Sequence, residues 1–405
     1  MLKLLPLLLQ TLTQVLFQFN KINKKTLVFG LTFLAITVTT LYFWQHNSKP
    51  GQSVWDVLDY YGFNEPQQKQ SLEFMMKKAG IIKPTETFMT IFPKRKNPSK
   101  LFKDVLYFIE LIQKHFTIRA GMHEQSTTWM TENIQDIGIS LDKLKIINII
   151  PPTISEPDLI VVFGAVMPTI KARLKYLDEL HSKNALKVNF LVLLTEERKV
   201  SIGVDGTELE LTEIAKKYNT TLDKLTENVL IQEAYTATTI SNVVPTRKLI
   251  IIDNKAKTDY KTGKITAPTT WTTVQELCKW LKEYTDSIHS SVFIYSQPYL
   301  KYQESIVREV LRQEGLPIKS EVIGNNVVEI NSTNVHRLID ALGTQILVQT
   351  PEVLSKAKIY TNDAQVKAKF VELYKEQPLT YNIVKHLLPI DNNQSKSNIS
   401  NHKHK

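Results

Sequence analysis

The sequence predicts an α/β protein: a doubly wound, mostly parallel sheet of Rossmann-like type, with added helical layers and one N-terminal transmembrane helix. Three observations predict it. Short continuous apolar runs alternate with helical patterns between residues 151 and 330. Apolar residues recur every three to four positions on either side of that region. An uncharged apolar stretch, Thr26 to Trp44, stands near the N-terminus. Strand alternating with helix is the pattern of a parallel sheet covered on both faces.

The N-terminal segments come first. Residues 1–25 contain an apolar stretch, Met1 to Asn20, with Gln10, Gln14 and Gln18 at helical spacing. This predicts an interfacial amphipathic segment; if it spanned the membrane instead, the topology would reverse. Residues 26–44 read TLVFGLTFLAITVTTLYFW. A helix rises about 1.5 Å per residue, so about 20 apolar residues cross a bilayer. A cleaved signal has an apolar core of about 7–15 residues and a small-residue site. Here the run is longer and ends in Tyr42-Phe43-Trp44-Gln45, so an uncleaved anchor is expected rather than a signal peptide or a buried core helix. Lys21, Lys24 and Lys25 flank the near end, against Lys49 beyond. The positive-inside rule then puts the bulk of the chain outside the cytoplasm.

Residues 45–54, with Asn47, Ser48, Pro50 and Gly51, read as a linker. Residues 55–150 are predominantly helical: Leu101-Phe102, Val105-Leu106, Phe108-Ile109 and Leu111-Ile112 follow a helical period. Then Ile150-Pro151-Pro152 and Glu156-Pro157 punctuate the chain, and Asp158-Leu-Ile-Val-Val-Phe-Gly164 follows. Such a run, ending in Gly, is expected for a strand buried on both faces. A helix from Pro168 to Leu180 comes next, with Pro where its missing N–H costs nothing. Further strands are expected at Val188–Thr195, Lys248–Asp253, Ser291–Ser296 and Lys319–Ile323. The helices between them fall at Leu211–Tyr218, Glu227–Val243, Thr272–Tyr284 and Tyr302–Gln313. Residues 331–390 return to helical patterns, and 391–405 form a polar tail expected to be disordered.

Composition narrows the chemistry. The formal charge of +10 favours anionic surfaces. It is scattered, partly in the tail, and not interleaved with aromatics, so no nucleic-acid partner is expected. The single cysteine, Cys278, excludes an internal disulfide and any CxxC knuckle; it lies in a helical pattern and reads as a small core residue. His181, His289 and His336 have no metal-ligand spacing, so no metal site is expected.

In an open α/β sheet, ligands bind beyond the carboxyl ends of the strands. The residues there are Gly164 after the first strand, Thr195-Glu196-Glu197-Arg198 after the second, Asp253-Asn254 after the third and Ser296-Gln297-Pro298-Tyr299 after the fourth. Gly164 admits a ligand close to the backbone, and the helix start beyond it favours an anion. There is no G-x-G-x-x-G and no Walker lysine, which argues against a standard dinucleotide or P-loop site. Nor does Ser296 stand in a G-x-S-x-G elbow. Arg173 either reaches back to a ligand or pairs with Asp178 or Glu179 on its own helix. Glu208, Glu210 and Glu213 include a candidate base, or form a solvated helix start. Glu227 opens a helix, where acidic residues favour the dipole.

The stretch Asp158 to Leu177, with its strand, Gly and helical Arg173-Leu174 pair, resembles the opening of the YdcF/SanA-like family of unknown function. The segments Val188–Thr195, Glu208–Glu213, Thr226-Glu227 and Val292–Tyr299 continue the resemblance, and the longer stretch Val292–Gln303 resembles an uncharacterised subgroup in bacteria with intracellular lifestyles. The usual Ser-Gly-Gly after the second strand and the late histidine are absent. The resemblance implies a Rossmann-like domain, often membrane-anchored, in bacterial cell-envelope biogenesis.

The expectation is therefore a single-pass protein of the bacterial inner membrane, its bulk periplasmic. It would bind an anionic small molecule or lipid-linked precursor through Gly164, Arg173, Arg198, Asp253, Ser296, Gln297, Tyr299 and Gln303, with Glu208 or Glu227 as base if there is chemistry. The alternatives are a non-catalytic scaffold docking a partner through its helical layers, and a cytosol-facing nucleotide-dependent enzyme. Cofactor and oligomeric state are left open.

Overall fold

Five parallel strands form the centre of the computed structural model, which describes residues 51–117, 128–258, 265–283, 287–327 and 329–375. The strands are β1 (Leu159–Phe163), β2 (Leu191–Glu196), β3 (Leu249–Asn254), β6 (Ser290–Ser296) and β7 (Lys319–Asn325). Between β3 and β6 lies a small antiparallel pair, β4 (Lys257–Thr258) and β5 (Ile265–Thr266). The spatial order is β3-β2-β1-β6-β7. Val161 pairs with Val192 on one side and Phe293 on the other, so the carboxyl ends of all five strands lie along one edge. The expected anchor (Thr26–Trp44), the amphipathic segment and the polar tail lie outside the described residues. Among the described residues, no helix is long and apolar enough to cross a membrane.

β1 is buried at every position, as its unbroken apolar run requires. Its alternate side chains feed two cores. Ile160 and Val162, with Leu191 and Leu193, pack under α7 (Met167–Ser182), α8 (Glu208–Lys217) and α9 (Glu227–Thr236). Leu159, Val161 and Phe163, with Phe293, pack under α11 (Thr270–Lys282) and α12 (Leu300–Gln313). The helix after β1 thus covers one face and the helix after β6 the other. That makes the β1–β6 junction the topological switch point, where open α/β sheets place ligands.

The expected helix Glu227–Val243 is two. α9 stops at Thr236, and a short α10 (Ile240–Val243) follows. Asp178 on α7 causes the break: its carboxylate accepts from Thr239 N at 3.0 Å and Ile240 N at 2.9 Å, which draws those amides away from a continuing helical ladder. The other helices and strands expected between residues 151 and 330 are present with ends shifted by no more than three residues.

The helical regions before and after the sheet are a single layer. It comprises α1 (Val54–Val57), α2 (Pro66–Lys78), α3 (Phe88–Ile91), α4 (Pro98–Phe116), α5 (Thr128–Glu132), α6 (Ile134–Lys143), α13 (Val335–Lys356) and α14 (Ala364–Lys375). One continuous apolar core runs through it, including Phe88, Phe102, Phe108, Leu342, Ile346 and Phe370. α4 starts at Asn97, whose side chain accepts from Ser99 N and Lys100 N, with Pro98 in the first turn. The buried Tyr61 and Thr350 hydroxyls, 2.7 Å apart, tie the two chain segments together, and within the second segment Tyr374 donates to the Leu347 carbonyl at 2.9 Å.

Candidate functional site

The carboxyl edge of the sheet carries two arginines, each with a different task. Arg173 projects from α7 to the switch point. Its Nη1 donates to the carbonyls of Phe163 (2.8 Å) and Gly164 (2.7 Å), and its Nε donates to Ser296 Oγ (3.1 Å). The guanidinium lies over the Tyr295 ring, 4.1 Å from its centre. The residue is only 3% exposed. It therefore bridges the ends of β1 and β6 and does not pair with Asp178 or Glu179 on its own helix; Asp178 is engaged at α10. Among the described residues, no carboxylate lies within 4.0 Å of Arg173. Burial lowers its pKa, while Tyr295 and Glu227 oppose that.

Arg198, on the loop after β2, is saturated. Nε donates to Glu227 Oε2 (2.9 Å), Nη1 to Asp205 Oδ2 (2.9 Å) and the Lys199 carbonyl (3.1 Å), and Nη2 to Asp205 Oδ1 (2.8 Å) and the Ala165 carbonyl (2.9 Å). All five N–H donors of an arginine are thereby engaged. Asp205 also accepts from Ser201 N at 2.8 Å and from Met167 N, in the first turn of α7, at 3.0 Å. Burial pushes the Asp205 carboxyl up in pKa, but these donors outweigh it and hold the carboxyl below its ordinary value.

Both features expected to receive a ligand anion thus hold carboxylates of the chain itself. Asp205 sits on the amide at the start of α7. Glu227 lies against Gly164, where a Cβ would overlap its Oε1. Glu227 also accepts from Glu196 N at 3.1 Å. Its pKa is raised, chiefly by burial and also by Glu196, with the Arg198 bond opposing.

Glu196 ends β2. Its Oε1 is 3.0 Å from the Thr273 hydroxyl on α11. Thr273 and Asn254 are buried, and Asn254 Nδ2 donates to the hydroxyls of Thr272 and Thr273, both at 2.9 Å. Burial raises the Glu196 carboxyl above its usual range, against Thr273, Arg198 and Arg173.

The structure brings Gly164, Arg173, Arg198, Glu227 and Ser296 into one connected network. Tyr299 stands at the start of α12, its ring edge-on to Tyr302 at 5.9 Å. Gln303, one turn on, is fully buried. Asp253 accepts from Thr195 Oγ (3.1 Å) and Lys255 Nζ (2.5 Å) at the end of β3. Gln297 turns the other way, its amide donating to the Asn148 carbonyl at 2.9 Å and so tying the sheet to the helical layer. Glu208 lies exposed in the first turn of α8. Glu196, Asp205, Thr273 and Tyr295 are the network members that the candidate set missed. Glu196 could have been picked out as the first charged residue after the β2 run; Asp205, by its place between the turn residues Gly203 and Gly206.

Beside this network, on the α7 side, a cavity of about 640 Å³ is lined by Met167, Pro168, Lys171, Asp205, Leu211 and Ile214, among others. Its volume is in the range of small-molecule sites, about 300–1,000 Å³. Asp205 forms part of its wall, so cavity and network adjoin. Among the described residues, no group of three His, Cys, Asp or Glu side chains is placed to hold a metal. Cys278 is buried and its thiol is pushed up to about 12, the state of an inert core residue. No protein-family model, curated protein or solved structure matches the chain.

Proposed function

We propose that this chain is a membrane-anchored α/β protein that binds a small anionic molecule, or the anionic group of a lipid-linked precursor, at the switch point of its sheet. The observation that carries the reading is Arg173. Arg198 has its charge answered directly by Asp205 and Glu227, whereas Arg173 is buried with two carbonyls and a hydroxyl as its hydrogen-bond acceptors. A buried cation without a direct counter-charge is costly, and an anionic ligand would relieve that cost. The adjoining cavity gives the ligand's body a place beside the start of α7. Glu227 and Glu196 supply carboxyl groups within the same network.

The membrane setting is supported by the uncharged stretch Thr26–Trp44 and its flanking lysines. The envelope setting is supported by the resemblance of Asp158–Leu177 to the YdcF/SanA-like family. The scaffold reading has less support, because the helical regions bury their apolar faces against each other in one shared core.

The test is a thermal-shift screen of the full chain in detergent with inorganic phosphate, nucleotides, sugar nucleotides and undecaprenyl-type phosphates. A ligand at a hundredfold excess over its dissociation constant stabilises by about 2.7 kcal/mol. The shift is expected to fall away in Arg173→Gln, with circular dichroism checking that the variant is folded. No shift from any anion, or a shift unchanged in a folded Arg173→Gln, would sink this reading.

A further inference from the structure

We infer that a polar cavity between α12 and the helical layer is a second binding site, for a neutral polyhydroxyl ligand of the mono- or disaccharide class. It stands apart from the strand-end network, none of whose residues lines it.

The cavity holds about 350 Å³, at the small end of the range for ligand sites, about 300–1,000 Å³. α12 forms one wall and α13 the other. The rest comes from α2, from the turn at Leu58–Tyr61 and from the loop after α6.

Gln345, on α13, points to a ligand. It lines the cavity and is only 3% exposed. Its Nε2 donates to Gln349 Oε1, also in the wall, at 3.4 Å. Its Oε1 is buried and has no hydrogen-bond partner among the described residues. A buried acceptor left unmade is costly, and an apolar side chain would fill the same place without that cost. The terminal torsion of a glutamine is soft, so the amide can turn toward the cavity it lines. A ligand hydroxyl would complete it. Should the two amides turn over together, the group lacking a partner becomes Nε2, and a hydroxyl, both donor and acceptor, serves that arrangement equally.

The charges of the wall argue against an ion. Lys301 pairs with Glu304 at 3.2 Å, and Glu304 with Arg308 at 3.4 Å. Arg308 crosses to Glu352 on α13 at 3.4 Å, and Glu352 pairs with Lys356 at 2.7 Å. Lys145 pairs with Glu65 at 3.6 Å. Every charged side chain that lines the cavity is thereby answered by an opposite charge. The carboxylates keep further lone pairs, which accept from ligand hydroxyls.

Tyr60 supplies the remaining element. It lines the cavity with its ring 40% exposed, while its neighbour Tyr61 is buried and bonded to Thr350. An open tyrosine ring offers an apolar face beside a polar tip. A sugar ring matches all three features: many hydroxyls, no charge and an apolar C–H face.

The test is saturation-transfer NMR and isothermal titration of the full chain in a zwitterionic detergent, which has no sugar headgroup to compete. The probes are glucose, galactose, N-acetylglucosamine, maltose and lactose. At least one is expected to bind at millimolar concentration. Gln345→Leu should weaken it about tenfold, through loss of the hydrogen-bonding amide. Tyr60→Ala, at an exposed position that should not affect folding, should weaken it about fivefold through loss of the ring face. Gln345→Leu should also be at least as heat-stable as wild type without sugar, since it removes the acceptor that lacks a partner. Arg173→Gln should bind sugar as wild type does, and inorganic phosphate should not compete. The inference is overturned if no probe binds, if either folded variant binds as tightly as wild type, or if Gln345→Leu melts well below it. Loss of sugar binding in a folded Arg173→Gln would place the sugar at the strand ends and equally overturn it.

Discussion

The carboxylate of Glu227 rests directly on the Cα of Gly164, occupying the space that any side chain at that position would fill. This contact joins the end of β1 to the start of α9, and through Glu227 to Arg198. Gly164→Ala should therefore expel the carboxylate and leave Arg198 Nε without its acceptor. Breaking one side of a buried ion pair costs about 3–5 kcal/mol. A loss of that size is expected in chemical denaturation. Adding Glu227→Ala to Gly164→Ala should cost less than the sum of the two single changes, because both remove the same interaction. Strict additivity would show that the two residues are not in contact.

Arg198 holds Asp205 through both terminal nitrogens and Glu227 through Nε. A lysine can occupy the same space but offers one ammonium in place of a planar fork. Arg198→Lys should consequently lose most of what Arg198→Ala loses, which is expected to be no less than the cost of breaking one buried pair, about 3–5 kcal/mol. Release of Asp205 should also free Met167 N at the start of α7. Amide hydrogen exchange would report this as faster exchange at Met167 in both variants. Full retention of stability in Arg198→Lys would show that charge alone, without the fork, is sufficient.

The sheet was legible in the sequence because strands buried on both faces leave unbroken apolar runs, as at Leu159–Phe163. Their alternation with helices then implied parallel pairing and placed Gly164 and Ser296 at a shared edge. Two kinds of fact were not legible. The break between α9 and α10 depends on Asp178, a residue distant in sequence, so periodicity ran straight through it. The partners of each charged group depend equally on long-range geometry. Arg198 and Arg173 look alike as sequence, yet one is saturated by the chain's own acids and the other stacks on Tyr295 over backbone carbonyls. Gln297 has the look of a ligand residue at a strand end, but its amide is held by the Asn148 carbonyl in a loop that periodicity cannot place. The contiguity of the helical layer was also hidden, since its halves are separated by the whole sheet domain.

Asp158 gives the fold an acid-sensitive tie with a definite sign. Its Oδ2 accepts from His289 N, Ser290 N and Ser290 Oγ, all at 2.9 Å, and so pins the entry of β1 to the entry of β6. The His289 amide, followed by the Ser290 groups, holds the carboxyl below its ordinary pKa. A carboxyl depressed in the folded state contributes stability that is fully present above its unfolded value, about 3.9 for Asp, and is lost as pH falls through the folded value. Asp158→Asn should thus lower stability by about 1–2 kcal/mol at neutral pH, the scale of hydrogen bonds to a charged group at a partly exposed site. The gap between variant and wild type should narrow only below about pH 4. Denaturant titrations across that range would check it, and a gap independent of pH would show that the charge contributes nothing.

Gly343 sits in the middle of α13, where glycine costs about 1 kcal/mol relative to alanine. Packing explains its presence: a Cβ there would lie 2.9 Å from Thr117 Cγ2 and 3.0 Å from Phe116 Cβ at the end of α4. The helix before the sheet and the helix after it therefore cross at this point with no room for a methyl group. Gly343→Ala should gain the helix propensity and lose more to overpacking, typically 1–3 kcal/mol, for a net drop in stability. Adding Thr117→Ser removes the nearer methyl and should recover part of the loss, while the contact to Phe116 keeps the recovery incomplete. An alanine variant more stable than wild type would mean that α4 and α13 do not approach this closely, and that the two halves of the helical layer are held together elsewhere.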